Sequence, residues 1–272
     1  MKPVSLTGLP IDSHSSHLRG AAKAPAAIRE ALRSAHSHMT ASNGLDLAEL
    51  IRDLGDAPIH GDAVDYHRIV EAARTAFEAG PAVFLGGDHM VTHPILAGYA
   101  EARRPPPQVV HIDAHPDLYA DFGGDPLSHA SPFARIMEKK LASSLTQLGI
   151  RTMNAHLRDQ AGRFGVRWFS PADHAASIQL LPHAPTYISI DLDGLDPAFA
   201  PGVSHHEPGG LTTREVLEVI WRAPGPVIGG DIVELNPDRD VNGMTATLAA
   251  KLLKELTARI SADAAAMGDP PA

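Results

Sequence analysis

Apolar residues recur along this chain in two alternating registers. Short unbroken runs, such as Val83-Phe84-Leu85 and Val109-Val110-His111-Ile112, are separated by longer stretches with an apolar residue every three or four positions. The runs suit strands buried on both faces, and the stretches suit amphipathic helices. Strands are expected at 4–8, 81–85, 108–112, 147–151, 166–169, 186–190 and 226–228. Pro25 opens a helix over 26–35, with Ile28 and Leu32 on one face. A short helix is expected over 45–52, and Asp62 can cap a longer one whose inner stripe is Ile69, Ala73 and Phe77 and which Gly80 ends. Ser131-Pro132 reads as the start of a helix to about 141. Thr212-Thr213-Arg214-Glu215 is a capping box that turns Val216, Val219 and Ile220 inward. A last helix over 244–260 buries Leu248, Leu252 and Leu256, and the tail 261–272 has little to pack and is expected to fray.

Strands alternating with helices, the strands apolar throughout, imply an α/β fold: one three-layer domain over residues 1–272, a central parallel sheet with helices on both faces. No internal repeat or linker interrupts it. At 272 residues and 44% hydrophobic the chain can bury one large core. A net charge of -9 argues against a nucleic-acid or acidic-membrane partner. No apolar run is long enough to span a bilayer, and 1–8 lack the apolar core of an export signal, so a cytoplasmic address is expected. With no cysteine there is no disulfide, no thiolate nucleophile and no sulfur-ligated zinc. Sixteen histidines only slightly favour metal chemistry.

Groups able to bind a metal follow four of the expected strands: His89, then Asp113, His115 and Asp117, then Asp191 and Asp193, then Glu234. In parallel sheets the crevice beyond the carboxyl ends of the strands is where sites form. Asp113, His115 and Asp117 are spaced by two, so on extended backbone they share a side. Each group also has a plain structural explanation. Gly86-Gly87-Asp88-His89 can be a tight turn, Asp191 and Asp193 can be caps, and Glu234 can be a surface ion-pair partner. Four such accidents at equivalent places are harder to accept than one site. Two His and four Asp suit a pair of carboxylate-bridged ions, manganese best, with iron, cobalt, nickel and zinc as alternatives. Two ions about 3.5–4 Å apart lower the pKa of a bridging water, which is the chemistry of metal-assisted hydrolysis.

These stretches resemble a known family. Gly86-Gly87-Asp88-His89, Asp113-Ala114-His115-Pro116-Asp117 and Ser189-Ile190-Asp191-Leu192-Asp193-Gly194-Leu195-Asp196-Pro197 are similar to the three signature motifs of the ureohydrolases, the arginases, agmatinases and their relatives. Residues 128–138 and 200–210 are most similar to plant-type arginases and their bacterial relatives. The resemblance implies two manganese ions per subunit, one held by His89, Asp113, Asp117 and Asp191, the other by Asp113, His115, Asp191 and Asp193. It implies that Asp117 also holds the attacking hydroxide, that Glu234 binds the guanidinium and that His129 shuttles a proton to the leaving amine, a role that suits imidazole. The implied reaction is hydrolysis of a small guanidino compound to urea and an amine, L-arginine to ornithine first. Agmatine to putrescine is the alternative, then guanidinobutyrate or formimidoylglutamate. A homo-oligomer, trimer or hexamer, is implied too. A catalytically silent metal-binding scaffold is the non-enzyme alternative, disfavoured by the intact ligand set. Three features depart from the relatives. Met90 replaces a common Ser and is expected to repack without loss of metal, and Asp125 stands where plant-type members tend to have Asn. His205 and His206 are paired, and are expected to be exposed loop residues.

Overall fold

A computed structural model describes residues 1–179, 181 and 183–267. In chain order its main elements are β1 (Val4–Gly8), α1 (Ala24–Leu32), β2 (Ile51–Asp56), α2 (Asp65–Ala79), β3 (Ala82–Leu85), α3 (Thr92–Glu101), β4 (Gln108–Ile112) and α4 (Pro132–Glu138). They continue as β5 (Ser144–Leu148), α5 (Ala155–Phe164), β6 (Arg167–Phe169), α6 (His174–Gln179), β7 (Thr186–Asp191), α7 (Thr213–Arg222), β8 (Val227–Val233) and α8 (Met244–Met267). The strands form one sheet in the order β2-β1-β3-β8-β7-β4-β5-β6, every neighbouring pair parallel.

The period-two pattern of the strands divides the core into two layers. Val83 and Leu85 pack with Val110, Ile112, Ile188 and Ile190 against Ile28 of α1, Val219 of α7 and Leu252 of α8. The intervening Ala82 and Phe84 pack with Val109 and Tyr187 against Phe77 of α2, Ile95 of α3 and Phe133 of α4. Strands β3, β4 and β7 are buried along their whole length, which is why they read as unbroken apolar runs. The chain passes from β3 to β4 across a gap that β7 and β8 later fill. Strands β3, β8, β7 and β4 are therefore adjacent, and their carboxyl ends bring the four polar stretches to one edge.

Several local expectations are corrected. Residues 45–52 do not form a helix; Ile51–Asp56 is an edge strand on β1, exposed from Arg52 onward and so without an apolar run to announce it. It is held from α1 by buried Arg29, which donates to Asp53 at 3.0 Å and also to Asp56. The strand expected at 147–151 lies at Ser144–Leu148. Helices α3, α5 and α6 were not foreseen; α3 is largely buried and lacks a one-sided stripe, and α5 shows its start only in Asn154, which accepts from the Leu157 N–H at 2.9 Å. Ser131 is the N-cap residue of α4 but makes no capping bond, and that helix ends at Glu138. Helix α2 starts at Asp65, whose carboxylate accepts from three preceding N–H groups, and not under an Asp62 cap. The capping box of α7 forms as expected, with Glu215 N–H on Thr212 Oγ1 at 3.2 Å and Thr212 N–H on Glu215 Oε2 at 2.8 Å.

The tail is corrected as well. Helix α8 continues to Met267, with Ser261 buried and Asp263 accepting from Arg259 Nε at 2.8 Å and from the Val227 N–H at 2.7 Å. Residues 268–272 of the expected frayed tail lie outside the described residues.

Two glycines hold the site's backbones together. A Cβ on Gly87 would stand 1.7 Å from the Ile11 carbonyl oxygen, and one on Gly194 would stand 2.8 Å from the Asp113 nitrogen. Both contacts are closer than any side chain tolerates, so the turns after β3 and β7 close onto their neighbours only as glycine.

Candidate metal centre

All six ligand-type residues converge at the carboxyl edge of the four central strands. His89 opens the turn after β3, Asp113, His115 and Asp117 follow β4, Asp191 ends β7 and Asp193 follows it. His89 Nδ1 lies 3.0 Å from Asp191 Oδ2, 3.2 Å from Asp113 Oδ2 and 3.3 Å from Asp117 Oδ2. His115 Nδ1 lies 3.1 Å from Asp193 Oδ2 and 3.4 Å from Asp113 Oδ1. Asp113 thus faces both imidazoles, one through each oxygen. Its Oδ1 is fixed by the His115 N–H at 2.6 Å, and Asp191 Oδ1 by the Asp193 N–H at 2.8 Å. Asp117 has φ 50° and Glu234 φ 64°, a left-handed backbone that costs a non-glycine residue and that clusters at functional sites.

Hydrogen bonding behind the cluster shows what the donor set fits. Asp231, buried in β8, accepts from Tyr187 Oη at 2.8 Å, Thr92 Oγ1 at 3.0 Å and Ser189 Oγ at 2.6 Å. Ser189 spends its one proton there, so toward His89 Nε2, at 2.9 Å, it accepts. His89 then bears its proton on Nε2 and presents Nδ1 to three carboxylate oxygens. One nitrogen lone pair facing three acceptors is coherent only around a positive charge. Ligands at about 2.1 Å and right angles on a small octahedral ion stand about 3 Å apart, the spacing found here. Burial disfavours a charged His89, yet Asp113, Asp117 and Asp191 outweigh it and hold its pKa well above the imidazole range, a proton taking the place of a cation. Burial and the charges of Asp193 and Asp113 push Asp191 well up, and burial lifts Asp193 to about 6. The cluster carries more negative charge than it can hold alone, and oxygen-rich ligation with two imidazoles fits a hard or borderline cation.

Glu234 and His129 form a pair beside the cluster. His129 Nδ1 lies 2.8 Å from Glu234 Oε1, which also accepts the His89 N–H at 2.9 Å. Glu234 Oε2 takes no hydrogen bond from the described residues. On its far side His129 Nε2 meets Ser16, the N–H at 3.1 Å and Oγ at 2.8 Å. Burial lowers the His129 pKa, but Glu234 first and then Asp117 and Asp88 raise it to about 9.

These groups line a cavity of about 280 Å³. Its floor is His115, Asp117, Asp191 and Asp193, Glu234 and His129 stand at the wall, and Tyr119, Phe122, Thr152, Leu157, His205 and Glu207 make the rim. No Lys or Arg is among its described lining residues. The paired histidines separate. His206 is exposed as expected, whereas His205 is half-buried in the rim, its ring 5.6 Å from that of His129. Asp125 does not line the cavity; it binds His14 Nδ1 at 2.7 Å and latches the N-terminal loop to the loop bearing His129. Met90 is buried in the core, a packing position. Sequence reading missed His111, Gln147, Ser189, Asp231 and Ser16 as parts of the site. The signal for four of them was a polar residue inside a strand of buried apolar neighbours; Ser16 gave none.

A parallel α/β sheet with carboxylates and imidazoles collected beyond its central strands defines the class of α/β proteins whose strand-end crevice carries groups that could hold a metal ion. The sequence profile of the Arginase family matches residues 2–258. Arginase 1, mitochondrial, of Arabidopsis thaliana is 42% identical over 94% of this chain and 81% of its own length. The guanidinopropionase of Pseudomonas aeruginosa is 35% identical over 96% of this chain and 88% of its own. The solved arginase from Medicago truncatula superposes with a TM-score of 0.90 at 38% identity, covering 95% of this chain and 87% of that one. The chain belongs to the arginase family.

Proposed function

We propose that the protein is an arginase that hydrolyses L-arginine with water to L-ornithine and urea. The observation that carries this reading is the cavity in which Glu234, its Oε2 free, stands beside the carboxylate–imidazole cluster. Likeness to plant arginases supports L-arginine. In this reading His89, Asp113, Asp117 and Asp191 would hold one Mn2+ ion, and Asp113, His115, Asp191 and Asp193 would hold a second. When bound, the ions supply an activated water and neutralise developing charge. The protein's own residues do the rest. Glu234 binds and orients the guanidinium by charge-assisted hydrogen bonds through Oε2. Asp117 positions the attacking water by accepting a hydrogen bond from it. His129, paired with Glu234, holds a proton close to the guanidinium and gives it to the departing amine nitrogen.

A second reading, agmatine to putrescine, is favoured by one observation: Glu207 lies at a rim with no lining Lys or Arg, which suits an ammonium at the substrate's far end. The same feature disfavours guanidino acids, whose lone carboxylate would find no cation. The deciding measurement is kcat/KM with Mn2+ for L-arginine, agmatine, guanidinopropionate, guanidinobutyrate and formimidoylglutamate. L-Arginine should lead. A lead for agmatine would reassign the substrate, and no turnover of any of the five would sink the enzyme reading. No described helix is long and apolar enough to cross a membrane. The proposal takes the protein to be a cytoplasmic trimer or hexamer, which cell fractionation and light scattering would check.

A further inference from the structure

Behind Asp113 runs a chain of hydrogen bonds whose direction the structure fixes. Gln147, in β5, places its amide nitrogen 2.6 Å from the Pro116 carbonyl oxygen and 3.0 Å from His111 Nδ1. A carbonyl oxygen only accepts, so the group facing Pro116 is the NH2. Its second proton points at His111 Nδ1, which must accept it. His111 therefore carries its own proton on Nε2 and donates to Asp113 Oδ2 at 2.7 Å. The ring cannot turn to escape this role, because it is stacked on Phe133 with centroids 3.9 Å apart and is wholly buried. Gln147 Oε1 is buried without a partner among the described residues, a cost that the two bonds of the NH2 group offset.

We propose that His111, its tautomer set by Gln147, is a positioning residue that aims the Asp113 carboxylate at the metal centre and does not itself bind metal. This rests on the proposed role of Asp113 as the shared ligand of two ions. Spacing alone would group His111 with His89 and Asp113 as three ligands of one ion. The hydrogen bonds remove it from that group. Nε2 bears the proton given to Asp113, Nδ1 receives the Gln147 proton, and no lone pair is left for a cation. Gln147 also tethers the carbonyl between His115 and Asp117, so one amide from the sheet interior sets both the loop and the carboxylate it carries. Partners behind metal ligands typically change metal affinity by about 10–100-fold when removed.

The test is titration of the metal-free protein with Mn2+ alone, folding being followed by thermal melting. His111→Phe keeps a ring against Phe133 but has no donor, and Mn2+ should bind about 10–100-fold more weakly. His111→Gln places an amide nitrogen near the position of Nε2 and should return the affinity to within a few-fold of wild type. Gln147→Leu leaves His111 in place with its tautomer free and should weaken binding about tenfold; it carries the test if His111→Phe does not fold. Wild-type affinity in His111→Phe overturns the proposal, as does wild-type affinity in Gln147→Leu. A Gln variant as weak as the Phe variant would make the imidazole a ligand and overturn it too. Wild-type protein that takes up no Mn2+ would instead remove the metal-centre reading on which the proposal stands, a failure visible before any variant is made.

Discussion

The floor of the pocket and its rim differ in what holds their side chains. Asp191 on the floor, and Asp113 and His89 in the cluster it belongs to, sit at or just after the ends of buried strands, almost without solvent exposure, and each is fixed by backbone N–H groups or buried hydroxyls. Rim residues, apart from buried Leu157 of α5, come from loops; Phe122 is 41% exposed and Glu207 and His205 are half-open to solvent. The difference separates two jobs. Charges held without water interact strongly and can build a reaction centre, whereas exposed charges are screened and only bias which ligand enters.

The sharpest attack on the floor is Asp191→Asn. It should lose Mn2+ and lower kcat/KM by at least about 10³-fold, because bound metal supplies several kcal/mol and each 1.36 kcal/mol is tenfold. Metal analysis of the purified variant checks it; a full metal complement with normal turnover would break the comparison. His129 stands between the regions, and His129→Asn should cost about 10²–10⁴ in kcat with little change in KM. A change in KM alone would move His129 to the rim.

His93 sharpens the comparison from outside the pocket. It is as buried as His89, yet among the described residues it pairs with no carboxylate: its Nε2 meets Tyr66 Oη at 3.2 Å and Nδ1 has no partner. Burial, with Lys139 and Arg135, drives its pKa down to about 3, the reverse of His89, His115 and His129. Above pH 6.5 the ring is neutral in both folded and unfolded chains. As pH falls toward 3 only the unfolded chain takes the proton, so stability is lost, about 2 kcal/mol by pH 5. Unfolding followed between pH 7 and 5 should show a weaker pH dependence in His93→Phe than in wild type; equal slopes would contradict the burial argument. The smallest effect belongs to the rim. Glu207→Gln should change KM for an ammonium-bearing substrate by less than about fivefold and leave kcat alone, as expected of an exposed ion pair. A larger change would assign Glu207 to the floor.

Much of the sheet was legible because strands buried on both faces must be apolar throughout. Edge strand β2 was not, because one exposed edge removes that requirement. Helix α3 hid for the opposite reason, being too buried to show a stripe. The six ligand-type residues were legible from their place after strands. Their partners Ser189, Asp231, His111 and Gln147 were not, since a polar residue within an apolar run gains its meaning only from what lies across the sheet.

By itself the sequence determined the layer order of an α/β domain, the four polar strand ends and the pairing of carboxylate with imidazole. Period and residue chemistry are local, and a linear chain carries them in full. Only the tertiary structure decided that β7 and β8 lie between β3 and β4, which makes four distant stretches one site. It also decided which nitrogen of His89 and of His111 bears the proton, and that His205 joins the pocket while His206 and Asp125 do not. Those outcomes depend on hydrogen-bond partners far apart in sequence, which strand order alone brings within reach.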